Sequence, residues 1–364
     1  MRKAFLSVVI ALILTITASA ASGVGRISAE TAVLIDASDG EVLFARGAEQ
    51  KMQPASMTKI MTAILVIENC APDAKVTVKQ SCVNIEGSSA YLQTGEVFTV
   101  EELLYALLLQ SANDAACALA DFCGGYDAFV VKMNDKAAEL GLNNTHYVNP
   151  HGLSSENHFS TAHDTAVLLC YCMKNPVFRR INGTVDHVIE PDESRRGRYF
   201  TNHNKLIYTI DGVCGGKTGY TISSGRCLCS YYEKDGVSLC AVTMNAPRDW
   251  DDHAQLYEYG KSLYETVTLN AAGVYKLHIV GGVSDTAVCT VEDDARVTVK
   301  KNGEKIRKVI YMRRFEYAPV YAGEQTGSVV FFKGDRVIYE APLYADNKVE
   351  AKKDAFKDMI KWKR

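Results

Sequence analysis

Two stretches of strand-like sequence lie far apart in the chain and bracket a long run of helical periodicity. This order constrains the fold more than any other feature. Residues 31–46 set Val33-Leu34-Ile35 and Val42-Leu43-Phe44 on either side of Asp39-Gly40, a hairpin signal. Arg226 to Tyr232 and Val237 to Met244 flank Asp235-Gly236 in the same way. Between them apolar residues recur at helical spacing, as in Met57, Ile60, Met61, Ile64 and Leu65 after Pro54, or Leu103 to Leu109 after the capping-box pattern Thr99-Val100-Glu101-Glu102. A closing helix is expected over about 250–265. Strands, a helical block, then strands and a helix predict an α+β domain over 24–268. Its antiparallel sheet is shared by the first hairpin and the last strands, is flanked by helices and carries an all-helical subdomain.

From about 272 short alternating segments follow one another with turn signals, for example Ala295-Arg296-Val297-Thr298-Val299 and the pair around Lys333-Gly334-Asp335. They predict a small all-β domain over 272–346. Residues 347–364 are basic and helix-permissive, with Phe356, Met359 and Ile360 on one face. Such a tail suits a membrane interface, and equally a frayed solvated end. At the other terminus Arg2 and Lys3 precede an apolar run from Leu6 to Ile16 and the small-residue site Ala18-Ser19-Ala20. Residues 1–20 therefore read as a signal peptide, the run being short for a membrane span, and the rest of the chain is expected outside the cytoplasm.

Eleven cysteines in an exported chain suggest disulfides, but Cys227, Cys229 and Cys240 sit in strand-like runs and Cys117 and Cys123 in helical ones. Most read as small buried hydrophobes, with room for one or two bridges. No Cys/His set has metal-ligand spacing, and no metal or cofactor is expected. A net charge of −3 offers no footprint for nucleic acid.

Three polar clusters interrupt the apolar pattern. Ser56 and Lys59 lie three apart at a helix start, one turn on a shared face. A serine becomes a nucleophile when a base takes its proton, and a lysine serves as that base when burial or a nearby cation lowers its pKa. Ser111-Ala112-Asn113-Asp114 falls between two apolar helical runs, where four polar residues are costly unless they find partners or line a cleft. Cys214-Gly215-Gly216-Lys217-Thr218-Gly219-Tyr220-Thr221 reads as a strand approached closely by a ligand. Each also has an ordinary reading: a solvated pair, a helix N-cap and a glycine-rich turn.

In this order and spacing, after a signal peptide, the three clusters resemble the motifs of penicillin-binding proteins and serine β-lactamases. Pro54-Ala55-Ser56-Met57-Thr58-Lys59, Ser111-Ala112-Asn113-Asp114-Ala115-Ala116, Asn149-Pro150-His151-Gly152-Leu153 and Ser160-Thr161-Ala162-His163-Asp164 are similar to one branch in particular. These are the low-molecular-mass penicillin-binding proteins that act as serine-type D-alanyl-D-alanine carboxypeptidases. The resemblance covers about 30–268, and the following β-rich stretch is similar to that branch's second domain. It implies a β-lactamase/transpeptidase-like fold, peptidoglycan stem peptides as substrate and β-lactam antibiotics as acylating ligands. It also implies Ser56 as nucleophile, Lys59 as base, Ser111 as proton relay and Asn113 as a substrate amide ligand. Lys217, Thr218, Gly219 and Tyr220 would bind the terminal carboxylate and complete the oxyanion hole. Arg248 stands near a further carboxylate ligand, and Asp164 is expected to support the pocket.

In Cys214-Gly215-Gly216, where an acidic residue, a glycine and an apolar residue are usual, the chain departs from the family pattern at Cys214 and Gly216, and it departs again at His163, where arginine is common. Glu139-Leu140-Gly141-Leu142-Asn143 fits the deacylation-loop pattern of β-lactamases, but Gly141 reads as a helix stop. A β-lactamase and a non-catalytic peptidoglycan receptor are the alternative functions.

Overall fold

The computed structural model describes residues 23–353. The leader expected at 1–20 and the tail from 354 lie outside the described residues. The first hairpin forms where the sequence sets it, with β1 (Thr31–Asp36) antiparallel to β2 (Val42–Arg46). A 3-10 turn over Ala55–Thr58 then runs into α1 (Lys59–Asn69). A short ribbon of β3 (Lys75–Thr77) and β4 (Val97–Thr99) leads to α2 (Val100–Leu108). The capping box is present: Glu102 N donates to Thr99 Oγ1 at 3.1 Å and Thr99 N to the Glu102 carboxylate at 2.7 Å. The helical block continues through α3 (Asn113–Phe122), α4 (Tyr126–Glu139), α5 (Ala162–Met173) and α6 (Pro176–Asn182).

Residues 182–204, a plain polar stretch in sequence, contain a second ribbon, β5 (Asp186–Ile189) and β6 (Arg198–Thr201). Each of its strands buries one residue, so no alternation marks it. A single turn, α7 (Leu206–Thr209), precedes β7 (Val213–Thr221), β8 (Gly225–Lys234), β9 (Val237–Met244) and α8 (Asp249–Ser262). The sheet order is β2-β1-β9-β8-β7, so the two distant hairpins do share one sheet. Every residue of β1, which lies between β2 and the central β9, is buried.

The helical spacing of Met57, Ile60, Met61, Ile64 and Leu65 by itself implies a single buried face. Instead α1 is buried on all sides from Lys59 to Val66, because helices α2 to α6 surround it as well as the 3-10 turn. Packing around the adjacent Gly215 and Gly216 accounts for the glycine at 216, where the family has an apolar residue. β7 is an edge strand whose outer backbone is taken up by buried asparagines: Gly216 N donates to Asn182 Oδ1 at 2.5 Å, Asn182 Nδ2 to Gly216 O at 2.9 Å, and Asn204 Nδ2 to Gly215 O at 3.3 Å. A Cβ at Gly215 would lie 2.5 Å from Asn182 Oδ1, and one at Gly216, where φ is 143°, would strike the Cys229 carbonyl. No side chain fits in either place.

The chain divides into two compact units, one running to Tyr232 and resuming over Ser238–Tyr259, the other taking Glu233–Val237 and starting again at Gly260. The boundary therefore falls earlier than the expected 268, because β10 (Tyr264–Leu269) pairs with β13 (Ala295–Lys300) of the second unit. That unit also holds the sheet of β12 (Thr286–Val291), β11 (Gly273–Val280) and β15 (Glu316–Tyr317), and the sheet of β14 (Ile306–Met312), β16 (Gln325–Lys333) and β17 (Arg336–Tyr344). The start of the expected tail belongs to it too, since Val349 bridges Val320 and Ala351 bridges Gly282.

Cysteines follow the expectation in part. Seven of the nine free ones are buried, while Cys70 and Cys123 form a disulfide between the C-caps of α1 and α3. Among the described residues no helix is long and apolar enough to cross a membrane.

Candidate active site

Ser56 lies in the middle of the 3-10 turn, half-buried, directly after Ala55, whose φ is +47°. A left-handed non-glycine residue is strained and persists only where its surroundings hold it. Gly152 does so here: a Cβ at 152 would collide with the Ala55 carbonyl, so only glycine lets the 149–153 loop press against the turn.

One turn on, Lys59 is fully buried and its Nζ reaches three oxygens: Ser56 Oγ at 2.9 Å, Asn113 Oδ1 at 2.6 Å and the His151 carbonyl at 2.5 Å. Burial holds Lys59 well below the usual lysine pKa, the charge of Lys217 adds to the effect, and Asp114 opposes it. Asn113 opens α3, with its Nδ2 donating to the Glu86 carbonyl at 2.5 Å, which fixes Oδ1 toward Lys59. The His151 ring sits against the cleft, its Nε2 3.2 Å from Tyr126 Oη, and burial followed by the Lys59 charge lowers its pKa to about 3. His151 is thus a neutral prop whose carbonyl serves Lys59.

Ser111, at φ +62°, turns the chain between α2 and α3, and its Oγ accepts from Lys217 Nζ at 3.0 Å. Lys217 points inward from β7, fully buried, and burial lowers its pKa to about 8. Its Nζ also donates to the Thr218 carbonyl at 3.0 Å. β7 runs alongside the 3-10 turn, and a Cβ at Gly219 would lie 3.1 Å from Ser56 N, Pro54 O and Ala55 Cβ. The bare glycine leaves the Ser56 N–H open. The polar cluster at 111–114 is therefore not merely a cap: Asp114 binds Ser89 Oγ at 2.6 Å and the Ala90 and Leu92 N–H groups at 3.0 Å, tying the 89–92 loop to α3.

These groups border a cleft of about 420 Å³, lined among others by Ser56, Ser111, Asn113, Thr218, Gly219 and the exposed Tyr220. Eight of the ten expected site residues meet in it or directly behind it. Arg248 does not; it is exposed, its backbone N donates to Ser28 Oγ, and the arginine lining the cleft is Arg226. Asp164 stands away from the lining, where it caps the 143–145 loop by accepting from Asn144 N at 3.0 Å and Thr145 Oγ1 at 2.8 Å. Sequence reasoning missed Arg226, His203, Asp249 and Trp250 in the wall. Arg226 had a usable signal, since the β7–β8 hairpin register sets it opposite Tyr220. Glu139 ends α4 with Gly141 at φ +72° behind it, is 65% exposed, pairs with Lys136 and does not line the cleft.

The comparisons with known proteins agree with this geometry. Residues 15–248 match the family described as D-alanyl-D-alanine carboxypeptidase, and residues 264–351 match the C-terminal domain of penicillin-binding protein 5. The chain is 33% identical to D-alanyl-D-alanine carboxypeptidase DacF of Bacillus subtilis over 92% of its own length and 88% of the relative's. It is 29% identical to DacA of Escherichia coli over 88% and 83%. Among solved structures it is similar to penicillin-binding protein 5 of Haemophilus influenzae (TM-score 0.64, 26% identity, 90% of this chain and 98% of that one). It is also similar to a D-alanyl-D-alanine carboxypeptidase of Mycobacterium tuberculosis (TM-score 0.64, 31% identity, 67% and 95%). With a serine and a buried lysine meeting where the family sequence pattern sets them, and with matches over nearly the whole chain, the protein belongs to the D-alanyl-D-alanine carboxypeptidase family of serine peptidases, in its penicillin-binding protein 5-like branch.

Proposed function

We propose that this serine-type carboxypeptidase removes the terminal D-alanine of peptidoglycan stem pentapeptides through an acyl-enzyme on Ser56, and that β-lactams acylate the same oxygen. The observation that carries the assignment is the set of three oxygens around Lys59 Nζ. A neutral amine has two N–H groups and one lone pair. Asn113 Oδ1 and the His151 carbonyl can only accept, so they take the two N–H groups and leave the lone pair facing the Ser56 hydroxyl. Burial, with the Lys217 cation nearby, favours the neutral amine.

Ser56 Oγ attacks the carbonyl between the two D-alanines as its proton passes to Lys59. The N–H groups of Ser56 and Tyr220 stabilise the resulting oxyanion, each worth about 3 kcal/mol in such sites. Ser111, hydrogen-bonded to Lys217, relays a proton to the departing amine while Lys217 and Thr218 hold its carboxylate. Asn113 binds the substrate amide, and water then cleaves the ester. The chemistry as written uses no cofactor. Asp164 supports the pocket indirectly, through the 143–145 loop. The leader at 1–20 directs export, and the basic tail attaches the enzyme to the membrane surface. Vesicle flotation that persists after removal of 354–364 would refute that attachment.

The main test is D-alanine release from a pentapeptide, with mass spectrometry of penicillin-treated protein. Wild type should release D-alanine and carry the adduct on the Ser56 peptide, and Ser56→Ala should do neither. An unmodified Ser56 peptide in treated wild type favours the non-catalytic receptor. Rapid multiple-turnover penicillin hydrolysis favours the β-lactamase, a reading that the outward position of Glu139 already disfavours.

A further inference from the structure

α3 presents Asn113 to the cleft and carries a cysteine one turn behind it. Cys117 faces Cys82, the last residue of a 3-10 turn over Gln80–Cys82, with the two sulfurs 2.6 Å apart. Both residues are buried, at 5% and 0% exposure. That separation is well inside the ~3.5–4.0 Å of non-bonded heavy atoms and nearer the ~2.05 Å of a covalent S–S bond. The segment leaving Cys82 becomes one wall of the cleft at Gly87 and Ser88. It hangs on α3 through Asn113 Nδ2 to Glu86 O at 2.5 Å, Asn113 N to Ser88 O at 2.7 Å, and the Asp114 contacts with 89–92.

We propose that Cys82 and Cys117 are the site of a second intramolecular disulfide, nested inside Cys70–Cys123, that fixes the 82–92 wall of the cleft to α3. The hydrogen bond from Cys117 lowers the Cys82 thiol pKa, which makes Cys82 the better attacking sulfur. The oxidant is a low-molecular-mass disulfide. The Cys82 thiolate attacks one of its sulfurs and expels a thiol, leaving a mixed disulfide. The Cys117 thiolate then attacks the Cys82 sulfur and expels the second thiol. Two electrons pass to the oxidant, and the two cysteine protons end on the released thiols or in solvent. Because both sulfurs are buried, the exchange belongs to folding or to a locally opened state.

The test is peptide mapping of the full chain refolded with a glutathione redox pair, with free thiols alkylated before digestion. A linked peptide pair containing Cys82 and Cys117, with seven alkylatable cysteines rather than the nine otherwise free (9 − 2 = 7), is the expected result. Recovery of both residues as alkylated monomers overturns the proposal. This readout does not depend on the acyl-enzyme reading, so the two fail separately. The role in the wall has its own readout, the rate of labelling by a fluorescent penicillin. Reduction should slow it at least threefold in wild type and in the Cys70→Ser/Cys123→Ser variant, but not in Cys82→Ser/Cys117→Ser. An equal response in all three refutes the coupling to the cleft.

Discussion

Arg226, and not Arg248, is the guanidinium expected to meet the substrate's terminal carboxylate. Its Nε and Nη2 bind the Asp249 carboxylate at 2.8–3.0 Å, its Cζ lies 5.8 Å from the Trp250 ring centroid, and the residue lines the cleft. A hydrogen bond between charged partners contributes about 1.5–3 kcal/mol. The Arg226 side chain is 45% exposed, so water and salt screen it and the lower end applies. About 1.5 kcal/mol corresponds to a roughly tenfold change in affinity. Arg226→Gln should therefore raise KM roughly tenfold for a peptide ending in D-Ala-D-Ala, with little change for the same peptide as its C-terminal amide. The substitution also strands Asp249, which is 3% exposed, so Arg226→Gln/Asp249→Asn serves as control and should show the same carboxylate-specific loss. Steady-state D-alanine release from both substrates is the assay. If Arg248→Gln shows the loss, or if acid and amide suffer equally in Arg226→Gln, the assignment is wrong.

Three further outcomes follow from the geometry. With its pKa lowered to about 8, Lys217 is largely a cation at neutral pH and loses its charge as pH rises through 8. The kcat/KM of free-carboxylate substrates should fall on that limb, and Lys217→Arg, which stays charged, should remove the limb. Gly219→Ala sets a methyl group 3.1 Å from Ser56 N and should slow penicillin acylation about 100-fold, the scale of one oxyanion donor, with the melting temperature nearly unchanged. His253 is buried between Ser230 Oγ at 2.6 Å and Thr243 Oγ1 at 3.1 Å, with its pKa held at about 3 by burial. A folded-state pKa below the unfolded value of about 6.5 means that this stability is present above pH 6.5 and is lost as pH falls toward 3, by about 2 kcal/mol at pH 5. His253→Gln should show a smaller drop in melting temperature between pH 7.5 and pH 5 than wild type.

The sheet, the helical block and the β-rich second unit were legible because burial imposes a period, two for half-buried strands and near four for helices, and that period survives in the residue order. β5 and β6 left no such trace because their faces are mostly exposed. The domain boundary was placed late for a related reason: β10 continues directly from α8 and only its pairing with β13 assigns it to the second unit. Ser56, Lys59, Ser111, Asn113 and Lys217 were legible through residue type and spacing. His151, Arg226 and Asp249 reach the cleft through register and loop packing, which a linear sequence carries only weakly.

The parts of the site hardest to read locally are those where the backbone disobeys local preference. Ala55 and Ser111 both take left-handed conformations, at φ +47° and +62°, and each adjoins the candidate site, one preceding the proposed nucleophile Ser56 and the other accepting from Lys217. Left alone, each residue would relax at a gain of order 1–3 kcal/mol. Two rigid bodies prevent this. α1, buried on all sides, fixes the far end of the Ser56 turn, while β7 and Gly152 close on its near end. Likewise Ser111 is pinned between the buried helices α2 and α3, with Lys217 reaching across from the sheet. The strain is thus supported by the α+β packing itself. Neither the helical block nor the sheet alone holds Ser56 and Lys59 within 2.9 Å while Lys217 stands beside them, so the proposed nucleophile and its proposed base are a product of the whole unit rather than of the six-residue stretch that first marks them.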